Sequence, residues 1–293
     1  MSPTGNTTTG ALADSLPTMI ASARLVREQE GGMPQLVDRV TLAEGTGTIW
    51  NEISLSKLTA FAVTENTVLD NPQQMADTLF SITPTVAGIE TLITDRVARR
   101  ISKNVYARIG SLAQNAIQRK KDEDGLTVLD GGNTTSSPGA GATLTSGHLS
   151  AAIYNISSNS TEPGRPPFRI VLHGLQIKDI FDELVAGVGT YPVGEGLTAR
   201  VFTEGFRGMI AGGQVYENGN LEVSADTDAK GGVFTRDAIV LVQGHSPRVE
   251  TKRRPEVGGG ATSLYHYDEY AYGERSDGNW VEEIQSDVTP PTS

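Results

Sequence analysis

The clearest pattern along the chain is an apolar run that is followed at once by a basic, polar stretch. Ala238 to Val242 are five consecutive apolar residues, most of them β-branched, between a glycine pair and the residues QGHSP. A short apolar run bounded by turn residues predicts a strand that is buried on both faces. Arg248, Lys252, Arg253 and Arg254 follow within twelve residues. We therefore expect a solvent-facing strand directly after a core strand.

A second region, Thr46 to Glu65, alternates apolar and polar residues with a period of two. This period predicts a long half-buried strand. An extended segment at 77–93 follows it, and the two together predict a two-stranded ribbon. An isolated ribbon is marginally stable in water, so we expect something outside this part of the chain to cover it. The apolar residues predicted on one face of the first strand are Ile49, Ile53, Leu55, Phe61 and Val63.

Spacings of three and four predict a long helix from about residue 94 to 121. Thr94 is placed as its N-cap, and Gly125 is placed near the C′ position after its last turn. At about 1.5 Å per residue the helix would be roughly 40 Å long. No heptad repeat is sustained, which argues against a coiled coil. The apolar positions of this helix are Val97, Ile101, Val105, Ile109, Leu112 and Ala116.

Shorter elements are predicted on both sides of these regions. Apolar spacing between Leu12 and Val26 indicates a short amphipathic helix on an N-terminal arm. Further along, we expect a helix at 146–158, a strand at 168–173 and a helix at 174–187. From residue 246 onward the chain reads as extended. Four of its eight tyrosines lie between Tyr265 and Tyr272 on both faces of one strand, which suits a strand with a core face and an interface face.

Composition narrows the function classes. The formal net charge is −11 and the pI is about 4.9, which disfavours nucleic-acid binding driven by bulk charge. Cysteine is absent, so a disulfide, a thiolate zinc site and a cysteine nucleophile are excluded. We see neither a signal peptide nor an apolar run of about 20 residues that could span a bilayer. The expectation is a soluble protein made in a cytoplasm.

No catalytic, cofactor-binding or metal-binding residue is predicted. The four histidines are far apart, and no HExxH, GxSxG or GxxxxGK[ST] motif occurs. His173 ends an apolar strand and is interpreted as structural. Asp226 to Asp237 matches part of a calcium-loop count, but Lys230 stands where a ligand belongs and a strand follows. Paired carboxylates such as Glu282 and Glu283 are interpreted as solvated faces.

The basic cluster formed by Arg248, Lys252, Arg253 and Arg254 allows three interpretations. As a DNA patch it is too short and lacks interleaved aromatic residues. As one half of ionic contacts to an acidic neighbouring surface it suits an acidic chain, because complementary charge fixes the register between partners. On a lone monomer it would be a solvated strand edge that discourages wrong pairing.

Three segments, taken in this order, resemble the major capsid proteins of tailed double-stranded DNA bacteriophages, whose fold is named after phage Hong Kong 97. The segment LFSITPTVAGIETLITDRVARRISKN is similar to the ribbon return strand and spine helix of that family. FRIVLHGLQIKDIFDELV resembles the strand and helix that open its axial (A) domain. GGVFTRDAIVLVQGHSPRVETKRR followed by YAYGERSDGNWVEEIQSD resembles the last A-domain strand crossing back to the peripheral (P) domain.

The resemblance implies an α+β capsid fold and a division of the chain. Residues 1–45 would be the N-terminal arm and 46–83 the extended ribbon (E-loop). The P-domain would comprise 84–144, with the spine helix at about 94–121, together with 247–293, and the A-domain 145–246. In this arrangement Ala238 to Val242 would be central in the A-domain sheet. The spine begins too early for a long N-terminal scaffolding segment, and we expect no covalent cross-link through Lys57.

The implied function is structural: a shell subunit that assembles into hexamers and pentamers of an icosahedral head around double-stranded DNA, without sequence-specific binding, in a virion built in a bacterial cytoplasm. Implied partners are further copies of the chain, a portal, and separate scaffolding or decoration proteins; no membrane, cofactor or enzymatic activity is implied. The residues expected at contacts between subunits are Trp50, Leu55, Lys57, Phe61, Arg248, Lys252, Arg253, Arg254, Tyr267 and Tyr270.

Three alternatives stay open at this point. An encapsulin-type nanocompartment shell would share the fold and would contain cargo enzyme instead of DNA. A β-rich surface adhesin is disfavoured by the missing signal peptide. A hydrolase with paired carboxylates would be a monomer with a deep polar pocket.

Overall fold

The structure, a computed structural model, describes residues 31–63, 65, 72–100, 105–132, 134–136, 138, 141–187, 208–221, 223 and 228–288. The strands are β1 (Asp38–Thr41), β2 (Trp50–Leu55), β3 (Asp77–Ile82), β4 (Thr85–Thr94), β5 (Thr134–Thr135), β6 (Phe168–Leu172), β7 (Met209–Ile210), β8 (Gly213–Glu217), β9 (Asp228–Thr235), β10 (Ile239–Arg254), β11 (Ala261–Glu274) and β12 (Val281–Asp287). The helices are α1 (Met33–Leu36), α2 (Asp95–Arg100), α3 (Val105–Thr127), α4 (Ser146–Ser157) and α5 (Gly174–Gly187). Single 3₁₀ turns lie at Val128–Gly131, Arg236–Ala238 and Ser276–Gly278.

A four-stranded sheet has the order β1-β10-β11-β4. Strands β10 and β11 form a long antiparallel pair, from Ile239 opposite Glu274 to Arg254 opposite Ala261. Strand β1 lies parallel to the first residues of β10, and β4 lies antiparallel to β11. The family resemblance implied that the apolar run lies at the centre of the A-domain sheet, which the strand at 168–173 opens. That strand, β6, belongs to a different sheet from β10, so this placement is wrong. An apolar run reports burial, whereas the choice of partner strand depends on contacts that are remote in sequence.

A six-stranded sheet has the order β5-β12-β9-β6-β8-β7. Strand β12 lies between β5 and β9, and β9 continues through a short turn into β10 of the other sheet. Each sheet therefore contains strands from both sides of residue 247, the predicted domain boundary. The division of the chain into arm, ribbon, P-domain and A-domain stays a prediction.

The first residues of β10 are buried on both faces, as the sequence predicts. Ile239 and Leu241 belong to a core cluster with Met33 and residues at the end of α3. Val240 and Val242 point to the opposite face and pack with Ile82 of β3. Strands β1 and β11 occupy both edges of this part of β10, so no side of it faces water.

The predicted spine helix corresponds to α2 and α3, with residues 101–104 outside the described part. Helix α3 ends at Thr127 rather than near residue 121, so the predicted C′ role of Gly125 is wrong. Gly125 lies within the helix, at a point where the helix packs so closely against its neighbours that no side chain fits. A Cβ atom at Gly125 would lie 3.0 Å from Tyr272 Cζ and 3.2 Å from Met33 Cβ, so a close approach requires the missing side chain.

The predicted ribbon is shorter than the sequence suggested. Strands β2 and β3 pair antiparallel from Trp50 opposite Ile82 to Leu55 opposite Asp77. The chain then leaves the ribbon, and β4 pairs with β11 instead. Pro84 lies between β3 and β4 and has no backbone N–H to donate, which explains why the ribbon strand does not continue.

The shorter predicted elements are confirmed by α4, β6 and α5. Helices α4 and α5 pack on the six-stranded sheet and form a second core cluster that includes Leu149, Ile170 and Ile180. The predicted arm helix between Leu12 and Val26 lies outside the described residues.

Candidate intermolecular contact surfaces

The ribbon of β2 and β3 has two unlike faces. Strand pairing places Ile53 opposite Leu79, and Leu55 lies on the same face. These three side chains are 62%, 63% and 63% exposed. The other large apolar residues between 46 and 83 that are exposed, within the described part, lie outside the paired strands, at Ile49, Leu58, Phe61, Val63 and Met75. We call the side chains of Ile53, Leu55 and Leu79 the ribbon face. Contiguous exposed apolar surface is typical of protein–protein contacts.

The opposite face of the ribbon packs within the chain at its base. Trp50 and Phe80 meet edge to face, with ring centroids 6.1 Å apart, and both lie against the buried Val240 and Val242. A side chain at Gly273 would overlap Ile82, so this glycine allows the ribbon base to approach β11. Trp50 was predicted at a contact between subunits, and the structure gives it a partner inside the chain.

Lys57 lies two residues after the end of β2 and ties the ribbon to the body of the molecule. Its Nζ atom donates a hydrogen bond to the backbone carbonyl of Ser160, at 3.0 Å. Leu55 and Phe61 on either side of it expose their side chains to solvent. The structure therefore places the three remaining ribbon candidates at an exposed site, and their role in contacts between subunits stays a prediction.

The second surface is the open face of the sheet where β10, β11 and β4 extend beyond β1. Tyr265 and Tyr267 lie parallel on it, with ring centroids 6.0 Å apart and an interplanar angle of 6°. The Arg248 guanidinium lies 5.4 Å from the Tyr267 ring centroid, and that of Arg254 lies 5.9 Å from the Tyr265 ring centroid. Each guanidinium is attracted electrostatically to the face of its ring. Gly88 lies beneath Tyr267, where a Cβ atom would come within 2.8 Å of the ring.

Carboxylates of the same chain neutralise most of the basic cluster. Arg254 Nη2 lies 3.1 Å from Glu90 Oε1, and Tyr265 also donates to Glu90, at 2.9 Å. Partial burial opposes ionisation of Glu90, but the hydrogen bond from Tyr265 and the charges of Arg254 and Lys252 together lower its pKa. Arg248 lies 3.6 Å from Glu250.

Arg253 forms a two-pronged ion pair with Asp95 at the start of α2. The hydrogen bonds donated by Arg253 lower the pKa of Asp95. Arg248, Arg253 and Arg254 are thus compensated within the chain, whereas the exposed Lys252 forms no ion pair within the described residues. The cluster offers a partner less free positive charge than the sequence indicates.

Tyr270 corrects the prediction that it contacts another subunit. Its side chain is only 4% exposed and belongs to the core. Its hydroxyl donates to Asp124 Oδ2 at 2.8 Å, and the Lys121 ammonium lies 4.8 Å from its ring centroid. Burial, together with the bond to Asp124, raises the pKa of Tyr270. Tyr267 lies on the opposite face of β11 and is only half-buried, so it remains a candidate contact residue.

Sequence analysis missed two polar groups that organise these surfaces. Lys121 Nζ lies 3.1 Å from Asp268 Oδ2 in the packed layer between α3 and the four-stranded sheet, and Gln243 bonds both residues. Asp268 lies on the same face of β11 as the buried Tyr270. A carboxylate on a buried face needs a partner, and this requirement could have been recognised from the sequence. Arg275 bonds elements far apart in sequence, and no local pattern marks it.

The described residues contain no cluster of three histidine, aspartate or glutamate side chains that could hold a metal ion. Lys230, in the calcium-like stretch, pairs with Asp130 at 3.0 Å and approaches Glu283 at 3.7 Å, while Asp226 lies outside the described residues. Among the described helices, none has the length and apolar character needed to cross a membrane.

No protein-family model matches the sequence, and no curated protein matches it. Solved structures, however, share its fold. The capsid of cyanophage Pam1 aligns with a TM-score of 0.73 at 10% identity, over 92% of this chain and 95% of the other. The capsid of Ralstonia phage GP4 gives 0.70 at 12% identity, over 93% and 96%. A chain from Mycobacterium phage Che8 gives 0.69 at 15% identity, over 90% and 95%. The predicted α+β phage-capsid fold is confirmed.

Proposed function

We propose that this chain is a structural shell subunit, the major capsid protein of a tailed double-stranded DNA bacteriophage, which assembles into hexamers and pentamers of an icosahedral head. The observation that carries the proposal is the fold match, because it covers at least 90% of this chain and of each of the three phage chains. A match of this extent leaves little of the chain for another architecture. Several of the matched structures are described as phage capsids, which favours this function over an encapsulin or an adhesin.

The ribbon face supports self-association independently of the fold. Ile53, Leu55 and Leu79 expose apolar surface that a soluble monomer would be expected to cover. A neighbouring copy that lies against the ribbon would remove this surface from water, at about 25 cal/mol for each Å² buried. In this proposal the work of the protein is association, and no side chain acts as a catalyst.

The finer parts of the proposal follow from the fold family. The head would enclose double-stranded DNA without reading its sequence, which suits a chain of net charge −11. A portal and separate scaffolding or decoration proteins would complete the particle. Assembly would take place in the host cytoplasm, with residues 1–45 as arm, 46–83 as E-loop, 84–144 and 247–293 as P-domain, and 145–246 as A-domain.

The experiment is to express the chain and a triple variant, Ile53→Ser, Leu55→Ser and Leu79→Ser, and to image both by electron microscopy. The three side chains are exposed, so the variant subunit should unfold at nearly the same denaturant concentration as the parent. It should nevertheless form no closed shells. A matched control changes the other face of the same strands, through Ser54→Ala and Thr78→Ser, and should assemble normally.

Three outcomes would each contradict a part of the proposal. Closed shells of normal size from the triple variant would show that the ribbon face is not an assembly contact. A parent chain that stays monomeric at high concentration, including with a phage scaffolding protein present, would contradict the shell function itself. Shells that contain an enzyme instead of nucleic acid when isolated from the native host would replace the phage head by a nanocompartment.

A further inference from the structure

The direction in which the ribbon leaves the body has to be fixed at its base. The ribbon is joined to the rest of the chain covalently through its two ends and, farther along, by the hydrogen bond from Lys57 to Ser160, and it can pivot about its base unless side chains there prevent it. Apolar contacts at the base bury Ile82 beneath Trp50 and Phe80. Apolar contacts alone are non-directional, so they hold the base in place without setting its angle.

Arg275 supplies directional contacts at this place. Its Nε atom donates to Glu52 Oε2 in β2 at 2.7 Å, and its Nη2 atom lies 3.1 Å from Asp38 Oδ2 in β1. Its Nη1 atom donates to the carbonyl of Asp237, in the turn before β10, at 2.9 Å. The same guanidinium lies 5.9 Å from the Trp50 ring centroid. One side chain thus contacts the ribbon, β1 and the start of β10.

The backbone holds Arg275 itself rigidly. Its N–H donates to the carbonyl of Ala238 at 2.8 Å, which extends the pairing of β11 with β10 by one residue. Directly afterwards Ser276, Asp277 and Gly278 all have positive φ angles, and the chain reverses in a 3₁₀ turn. The Arg275 side chain is only 16% exposed. A planar donor group in such a site holds its acceptors at fixed angles, which a flexible lysine would not do.

We propose that Arg275 is the positioning residue of the ribbon: by binding Glu52 and Asp38 together, it sets the ribbon's direction in the free subunit, before any partner is present. The ribbon is then an ordered arm and does not need a neighbour to define its angle. Its value for assembly rests on the shell function proposed above. A pre-ordered ribbon loses less conformational entropy on docking than a pivoting one.

The test measures the distance between two spin labels by double electron–electron resonance on the dilute, unassembled subunit. One label is attached to the ribbon at Leu79→Cys and the other to the body at Tyr154→Cys, because both side chains are exposed and the chain has no cysteine of its own. Hydrogen–deuterium exchange checks that each variant is folded. Arg275→Met keeps the length of the side chain and removes its donors, and Glu52→Gln removes one charge at a half-exposed position. The control is Arg248→Met, which removes a guanidinium that also lies over an aromatic ring and beside a carboxylate, away from the ribbon. In Arg275→Met we expect the distance distribution to become about twice as broad as in the parent, because the ribbon then pivots at its base, and in Glu52→Gln we expect a smaller broadening, as the loss of charged hydrogen bonds predicts.

The outcomes separate the positioning role from the shell function. Strand β12 should keep its protection in all three variants; if Arg275→Met fails to fold, Glu52→Gln decides the question. Distance distributions in Glu52→Gln and Arg275→Met that are as narrow as in Arg248→Met would overturn the proposal. A loosened ribbon in a subunit that still forms shells would leave the positioning role intact and contradict the need for a pre-ordered ribbon in assembly.

Discussion

The two halves of strand β10 are hydrogen-bonded to the same neighbour, β11, but they lie in opposite environments. Ile239 to Val242, the inner half, are buried on both faces and have β1 along their second edge. Residues 246–253, the outer half, are exposed although they keep their pairing with β11. Strand pairing therefore does not decide burial here. The elements stacked above and below the sheet decide it, and the ribbon base covers only the inner half.

The strongest test of this contrast places a charge in each half. Val240→Asp would place a carboxylate in the apolar contact between β10 and the ribbon base, among Ile82, Trp50 and Phe80, and burial of an unpaired charge costs several kcal/mol or more. We expect no stably folded subunit. Val249→Asp alters a side chain that is 60% exposed and should change the unfolding free energy by less than about 1 kcal/mol. Circular dichroism and denaturant titration would measure both. A well-folded Val240→Asp subunit would contradict the covering role of the ribbon base.

The next effect lies at the junction of the two halves, where Lys121 and Asp268 form a buried ion pair. Asp268→Ala leaves the ammonium without its partner, and removal of one member of a buried pair costs about 3–5 kcal/mol. The same helix carries a matched exposed pair, Arg119 with Glu123 at 3.5 Å. Glu123→Ala should cost less than about 0.5 kcal/mol. Equal losses in the two unfolding curves would mean that water reaches the Lys121 pair.

Two glycines of α3 report how closely the helix lies over each half. Gly125 faces Tyr272, opposite the inner half, and Gly110 faces His266, opposite the outer half. A Cβ atom at Gly110 would have its nearest neighbour at 3.9 Å, so Gly110→Ala should stabilise the protein by up to about 1 kcal/mol. Gly125→Ala should destabilise it by about 1–3 kcal/mol because the added atom overpacks the helix against Tyr272 and Met33. Thermal unfolding would compare them, and a stabilising Gly125→Ala would refute the tight contact.

The smallest effect depends on pH and concerns Glu274, which pairs with Ile239 at the start of the inner half. Burial, reinforced by the negative charge of Asp277, raises its pKa to about 7 from an ordinary 4.5. Between about pH 4.5 and 7 the folded protein retains a proton that the unfolded chain has lost, so stability falls as the pH rises through this window. Glu274→Gln cannot lose that proton. Its unfolding free energy should decline less than that of the parent over this window, and parallel curves would contradict the assignment.

Local patterns in the sequence predicted burial and element type well. The apolar run at 238–242 is buried on both faces, and α4, β6 and α5 lie where periodicity placed them. The family resemblance, rather than these patterns, placed the apolar run in the wrong sheet, and periodicity ended α3 too early. Partner choice and a close helix–sheet contact at Gly125 are set by residues far away in sequence, which periodicity does not register.

The candidate surfaces were foreseen in part. Alternation identified the apolar face of the ribbon, and the structure leaves its Ile53 and Leu55 exposed. It did not indicate that the residues of opposite parity would pack inward, since this depends on Gly273 leaving room on β11. Tyr270 was assigned to a contact because tyrosines lie on both faces of β11. Only the position of α3 shows which of these faces is buried.

The interleaving of the two sheets gives the subunit a mechanical character. Strands β10 and β11 continue through short turns into β9 and β12, which are neighbours inside the other sheet. Tension applied at the outer tip of the long hairpin would run along both strands and enter the second sheet as shear on many hydrogen bonds at once. We therefore expect the subunit to resist a force in that direction strongly, because the hydrogen bonds of the second sheet would have to break together and not one strand at a time.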